Sequence, residues 1–137
     1  MSANTCRKMT SSARAIVIGH GSFPEGMIGA VELITGRGEL FIPVSNRGLG
    51  GEDIETQLRA AVAQSGVKVF FSDLPAGSAA MAVRRFLREN ADCVLVTGTN
   101  LATLLEFAFH HDISPIEAAR NAAAKGRLAL VVNGDPQ

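Results

Sequence analysis

A chain of 137 residues with 47% apolar and 19% charged side chains fits one globular domain and leaves no room for a second core of similar weight. Thirteen basic residues balance thirteen acidic ones, and Trp and Tyr are both absent. Without excess positive potential or a set of stacking rings, nucleic acid is excluded as the expected partner.

Residues 1–13 are expected to be a flexible tail and 14–137 a single domain. The tail lacks the apolar stretch of a signal peptide, and no apolar run approaches the roughly 20 residues of a membrane helix, so a cytoplasmic protein is expected. Cys6 and Cys93 have no Cys or His at metal-ligand spacing and read as reduced thiols. No metal or cofactor is expected.

Ala15-Ile16-Val17-Ile18 is apolar and rich in β-branched residues, which predicts a strand, and a Gly-His-Gly turn follows it. Met27, Ile28, Val31 and Ile34 then recur at helical spacing, with Gly36 and Gly38 to end the helix. Leu40 to Val44 predicts a second strand with Pro43 near its end, and the glycine-rich stretch Asn46 to Gly51 predicts a mobile loop. Glu52 to Gln64 predicts a helix with Ile54, Leu58 and Val62 on one face, and Val67 to Phe71 a third strand. A helix from Gly77 to Asn90, a strand from Cys93 to Thr97, helices over Asn100–Phe109 and Pro115–Lys125, and a last strand over Leu128–Val132 complete the alternation. Nearly continuous apolar strands between amphipathic helices predict an α/β fold, a mainly parallel sheet covered by helices on both faces. The terminal Gly134-Asp135-Pro136-Gln137 is expected to fray.

Open α/β sheets meet their ligands at the carboxyl ends of the strands, which here directs reading to the loops after strands one, three and four. In the first, His20 sits between Gly19 and Gly21, where small neighbours let a phosphate approach closely, and the helix that begins just after it presents free N–H groups and a positive dipole end. His20 reads equally well, on spacing alone, as a histidine that only hydrogen-bonds its loop. Asp73, ending the third strand, can orient one imidazole nitrogen or simply start the next helix. Ser78 can donate to a phosphate or sit unengaged in a first turn. His110 and His111 close a helix and suit its dipole, and Arg84, Arg85 and Arg88 read as a solvated face open to an acidic partner. Dinucleotide, P-loop and nucleophile-elbow motifs are all missing.

Three segments together carry a resemblance. Ile16-Val17-Ile18-Gly19-His20-Gly21-Ser22-Phe23-Pro24-Glu25-Gly26 is similar to the phosphorylation segment of mannose-class IIA components of the phosphoenolpyruvate-dependent sugar phosphotransferase system (PTS). Asp73 to Ser78 resembles that family's Asp-Leu-Phe-Gly-Gly-Ser loop, and Gly98 to Glu106 resembles its Gly-Val-Asn-Leu-Pro-Met-Leu-Leu-Glu segment, in the same order. Pro75 and Ala76 depart from the family's aromatic and first glycine, Ala79-Ala80-Met81 from Pro-Phe-Asn, and Ala102-Thr103 from Pro-Met.

The resemblance, over about residues 14 to 132, implies a five-stranded sheet of four parallel strands and one antiparallel edge strand, in a homodimer. It implies a phosphotransferase with a phosphohistidine intermediate. His20 would accept a phosphoryl group from the carrier HPr and pass it to a IIB component for sugar uptake, with contact to the membrane only through IIC and IID components. In that implied site Asp73 orients His20, and Gly21, Ser22 and Ser78 bind the phosphate. A regulatory phosphocarrier not coupled to transport and a flavodoxin-like small-ligand-binding module are the other readings of the same pattern.

Overall fold

A computed structural model describes residues 12–47 and 51–134. Cys6, most of the expected tail, positions 48–50 of the expected mobile loop and the last three residues lie outside the described residues. The elements are β1 (Ala15–Gly19), α1 (Phe23–Thr35), β2 (Phe41–Ser45), α2 (Gly51–Ser65), β3 (Val69–Ser72), α3 (Ser78–Glu89), β4 (Val94–Val96), α4 (Leu101–Phe109) and α5 (Pro115–Leu128), with a single 3₁₀ turn at Gly38–Leu40 before β2.

The strands form a four-stranded parallel sheet in the order β2-β1-β3-β4. Central β1 has all five residues buried, as a strand covered on both faces requires. Its side chains alternate between two cores. Ala15 and Val17, with Val69 and Phe71 of β3, point to a core shared with α1, α4 and α5. Ile16 and Ile18, with Phe70, point to a core shared with α2 and α3. The first core is organised by three phenylalanines, Phe41, Phe71 and Phe107, whose ring centroids are 5.1 to 6.3 Å apart. Phe70 and Phe86 meet edge to face at 5.6 Å in the second.

Helix ends follow their sequence signals. Gly36, at φ 72°, takes the left-handed conformation that ends α1, and its N–H bonds to Glu32 O. Asn100 caps α4 by accepting from Thr103 N–H at 2.9 Å, and Ser114 caps α5 by accepting from Glu117 N–H at 3.2 Å. Asn100 also donates to Gly126 O at 2.9 Å, which draws α5 against the start of α4.

The C-terminal run differs from the strand expected over Leu128–Val132. Leu128 is the last residue of α5, and residues 129–134 pair with no strand of this chain. The β-branched residues favour extension, yet a strand exists only against a sheet edge, and this run meets none within the chain. Its side chains are left in solvent: Leu128, Leu130, Val131 and Val132 are 64–84% exposed. The antiparallel fifth strand is therefore missing among the described residues of the single chain. Beside it, β4 pairs only with β3, so its outer edge borders an open groove of about 540 Å³ lined by β4 and α5.

The α4–α5 contact admits no side chain at Gly126, where a Cβ would overlap Thr103 Oγ1 and stand 3.1 Å from Asn100 Oδ1. Overpacking of this kind costs about 1–3 kcal/mol, against about 1 kcal/mol gained by replacing a helical Gly with Ala. Gly126→Ala is expected to lower the urea midpoint by a net loss of up to about 2 kcal/mol with an unchanged denaturant slope. A midpoint at or above wild type would contradict the close approach.

Candidate functional site

The chain direction fixes where the site can lie. From β1 the sheet extends to β2 on one side and to β3 on the other, so a crevice opens between the carboxyl ends of β1 and β3. His20 follows β1, and Asp73 follows β3. The register that pairs Ile18 with Ser72 brings the next residues of the two strands together.

Asp73 holds His20 twice. Its Oδ2 accepts the backbone N–H of His20 at 2.9 Å and lies 2.9 Å from His20 Nδ1. A carboxylate only accepts, so Nδ1 carries the hydrogen of this bond and Nε2 is the free nitrogen. The other oxygen, Oδ1, accepts Leu74 N–H at 2.9 Å. The Asp73 side chain is only 13% exposed, while that of His20 is 47% exposed. Burial alone would push the Asp73 carboxyl up, but the bonds from His20 and Leu74 and the nearby imidazole charge outweigh it and hold the group below the usual carboxylate range.

Two glycines make the approach possible. A Cβ at Gly19 would stand 2.8 Å from Asp73 Cγ and Oδ2, so a side chain there would displace the carboxylate. Gly77, at φ +105°, occupies backbone territory that side chains rarely adopt, and a Cβ on it would lie 3.4 Å from His20 Cε1 and 3.6 Å from Nε2. The N-terminal end of α3 thus abuts the free edge of the ring. Met81 N–H bonds back to Gly77 O, and the amides ahead of Met81 belong to the open first turn.

The structure places the other expected site residues in one loop cluster. Gly21 donates its N–H to Asn46 Oδ1 at 3.3 Å, and its carbonyl accepts from Ser45 Oγ at 2.6 Å. Asn46 Nδ2 donates to Ser78 Oγ at 3.3 Å, so Asn46 ties the His20 loop to the first turn of α3. Ser22 is exposed at the N-cap of α1, and its side chain makes no capping bond. α1 is the poorer of the two helix ends for an anion: Pro24 removes a donor, Phe23 N–H is spent on His20 O, and Glu25 adds a negative charge to the first turn. The helix start that flanks the imidazole is that of α3.

Asn46 and Ser45 were not anticipated, because the end of β2 reads as the start of a mobile loop. The available signal was position: β2 neighbours β1, so its carboxyl end opens on the same crevice. His110 pairs with Glu106 at 2.8 Å near the end of α4 and takes no part in this cluster.

No protein-family model matches the sequence, and no curated protein matches it. Solved structures share the fold. A PTS component EIIA from Streptococcus agalactiae aligns with a TM-score of 0.77 at 21% identity, over 88% of this chain and 96% of that one. The mannose/sorbose-specific IIA subunit from Enterococcus faecalis aligns with a TM-score of 0.75 at 22% identity, over 91% and 97%. A PTS IIA protein associated with the fucose utilization operon of Streptococcus pneumoniae aligns with a TM-score of 0.73 at 19% identity, over 90% and 94%. The chain has the fold of mannose/sorbose-class IIA proteins along nearly their whole length.

Because the folded-state pKa of Asp73 lies below its unfolded value, the stability it contributes is present above the ordinary carboxylate range and lost as pH falls through the lower folded value. Asp73→Asn is therefore expected to unfold at lower denaturant than wild type at about pH 7, and the gap is expected to narrow as pH falls through the lowered folded-state value, where protonated Asp73 is as neutral as Asn. A gap of constant size across this range would show that charge at Asp73 contributes nothing.

Proposed function

We propose that this protein is a phosphoryl carrier of the mannose-class IIA type, with His20 as the residue that takes and gives the phosphoryl group. One observation carries the reading: the Asp73 carboxylate holds Nδ1, leaving Nε2 free at an exposed crevice beside the open end of α3. Three sequence segments and the shared fold support it.

In the forward step the Nε2 lone pair attacks phosphorus on phospho-HPr. The N–P bond of the donor breaks, and its electron pair returns to the donor's nitrogen. His20 then holds a phosphoramidate with Nδ1–H still bonded to Asp73, whose negative charge offsets the positive charge the ring gains as the new bond forms. A IIB component accepts the group by the reverse sequence. Such transfers need positioning and charge stabilisation more than elaborate covalent machinery, which suits a site this small. In this reading Ser78 and the first-turn amides of α3 receive the phosphoryl oxygens, together with Gly21 and Ser22. The assigned setting is the cytoplasm; among the described residues no helix is long and apolar enough to cross a membrane, and contact with a membrane would run through IIC and IID components.

Incubation with phosphoenolpyruvate, enzyme I and HPr is expected to place one acid-labile, alkali-stable phosphoryl group on the chain. His20→Ala should abolish labelling, and Asp73→Asn should slow it about ten- to a thousandfold, the range for loss of a few kcal/mol of transition-state stabilisation. Acid-stable phosphate, or labelling of His20→Ala, would defeat the reading. Labelled protein that passes its phosphoryl group to no IIB component would instead place it in a regulatory role.

The exposed run 129–132 and the open β4 edge support a homodimer in which each chain supplies the other's missing antiparallel strand. Sedimentation at micromolar concentration is expected to show a dimer, and deletion of residues 129–137 a monomer. Wild-type protein that sediments as monomer alone would refute it.

A further inference from the structure

The loop after β2 is tied to both flanks of His20. Asn46 N–H donates to Gly19 O at 3.0 Å, and Asn46 Oδ1 accepts Gly21 N–H at 3.3 Å. Arg47 N–H donates to Ser45 Oγ at 3.0 Å, and that hydroxyl donates in turn to Gly21 O at 2.6 Å. The backbone of Arg47 is thus anchored to the histidine loop through Ser45. Its side chain reaches the first turn of α1, where Nη2 stands 3.8 Å from Glu25 Oε1. That separation exceeds hydrogen-bond length, and the two side chains are 62% and 63% exposed, so the pair stabilises the protein little and releases the guanidinium readily. Two carboxylates already bring negative charge to this cluster, Asp73 against the ring and Glu25 at the start of α1. A phosphoryl group on His20 would add roughly 1.5 to 2 further negative charges. Among the described residues, Arg47 is the cation whose backbone is bonded into the cluster.

We infer that Arg47 leaves Glu25 and pairs with the phosphoryl oxygens when His20 is phosphorylated, which makes its guanidinium a catalytic group of the transfer and a ligand of the phosphorylated state. The inference rests on the carrier role proposed above and adds the cation of its site. While the Nε2–P bond forms and the donor's N–P bond breaks, Arg47 exchanges no proton. It donates N–H bonds to the oxygens whose charge it offsets. Two features suit a group that has to be passed on. The guanidinium fork matches the spacing of phosphoryl oxygens, and its exposure keeps the attraction moderate, whereas a buried cation would trap the group on His20. Glu25 gives the cation a partner to return to when the group leaves.

Labelling of full-length protein is followed with phospho-HPr and with phosphoramidate, a small donor that needs no docking surface, in each case as the increment over His20→Ala. Arg47→Gln is expected to slow both reactions by about tenfold or more, the loss that goes with one charge-assisted hydrogen-bonded pair. The phosphorus NMR shift of the labelled protein, titrated against pH, reads the second ionisation of the phosphoryl group. Removal of a neighbouring cation disfavours the dianion, so this pKa is expected to rise by about half a unit or more in Arg47→Gln. Arg47→Lys, which keeps the charge and loses the fork, should hold the pKa near wild type and label within about threefold of it. Because Arg47 is exposed, the circular dichroism of both variants should match wild type. An unchanged phosphoryl pKa in Arg47→Gln overturns the inference whatever the rates, and leaves the carrier role standing. A loss with phospho-HPr alone overturns it as well, since Arg47 would then act in docking. If neither donor labels wild-type His20, the carrier role itself falls and this inference with it.

Discussion

The paired grip of one carboxylate on one histidine is the constraint around which the rest is arranged. Asp73 Oδ2 accepts from both the backbone and the ring of His20, so the loop after β1 and the imidazole are fixed by a single oxygen. For that oxygen to be present, β1 and β3 must be parallel neighbours in register, Gly19 must lack a side chain, and the carboxylate must be largely out of water. Burying a charge is costly unless its lone pairs are used. Here three hydrogen bonds use them, which is why Asp73 stays ionised despite its burial.

The two-sided helical cover makes this constraint durable. β1 carries no polar side chain among its five residues, and the alternation of its neighbours between two apolar cores leaves no freedom to slip by one position without turning Ile16 and Phe70 into the wrong layer. The site therefore sits at the ends of the two central strands of the sheet, and the loop after β2 joins it from the neighbouring edge strand.

Much of this was legible in the residues. Apolar runs marked all four strands, and the two central ones, β1 and β3, are buried along their whole length. Gly36 marked the end of α1 through local chemistry that needs no tertiary knowledge. His20 and Asp73 were legible as residues at strand ends. What local pattern withheld was pairing across the chain. Asn46 acts through an amide that bridges Gly21 and Ser78, positions 25 residues before it and 32 after it, and nothing in its own neighbourhood announces that reach. The start of α1 looked like the anion-holding helix because it is adjacent in sequence; the helix start that the sheet brings beside the imidazole is that of α3. Leu128–Val132 has the composition of a strand, but strandhood depends on pairing, and among the described residues this run does not pair with the free β4 edge of its own chain.

The two edges of the sheet are not equivalent. β2 closes one side and carries Pro43, opposite Val17, so that edge lacks a donor and resists extension. β4 closes the other side with nothing comparable, its three residues being Val94, Leu95 and Val96. Growth by strand addition consequently has only one direction. Polymerisation needs two complementary ends, and a building block with one adhesive edge and one blunted edge terminates as soon as the adhesive edges are filled. Pro43, remote from the crevice at His20, thereby leaves the β4 edge as the one open to strand addition among the described strands.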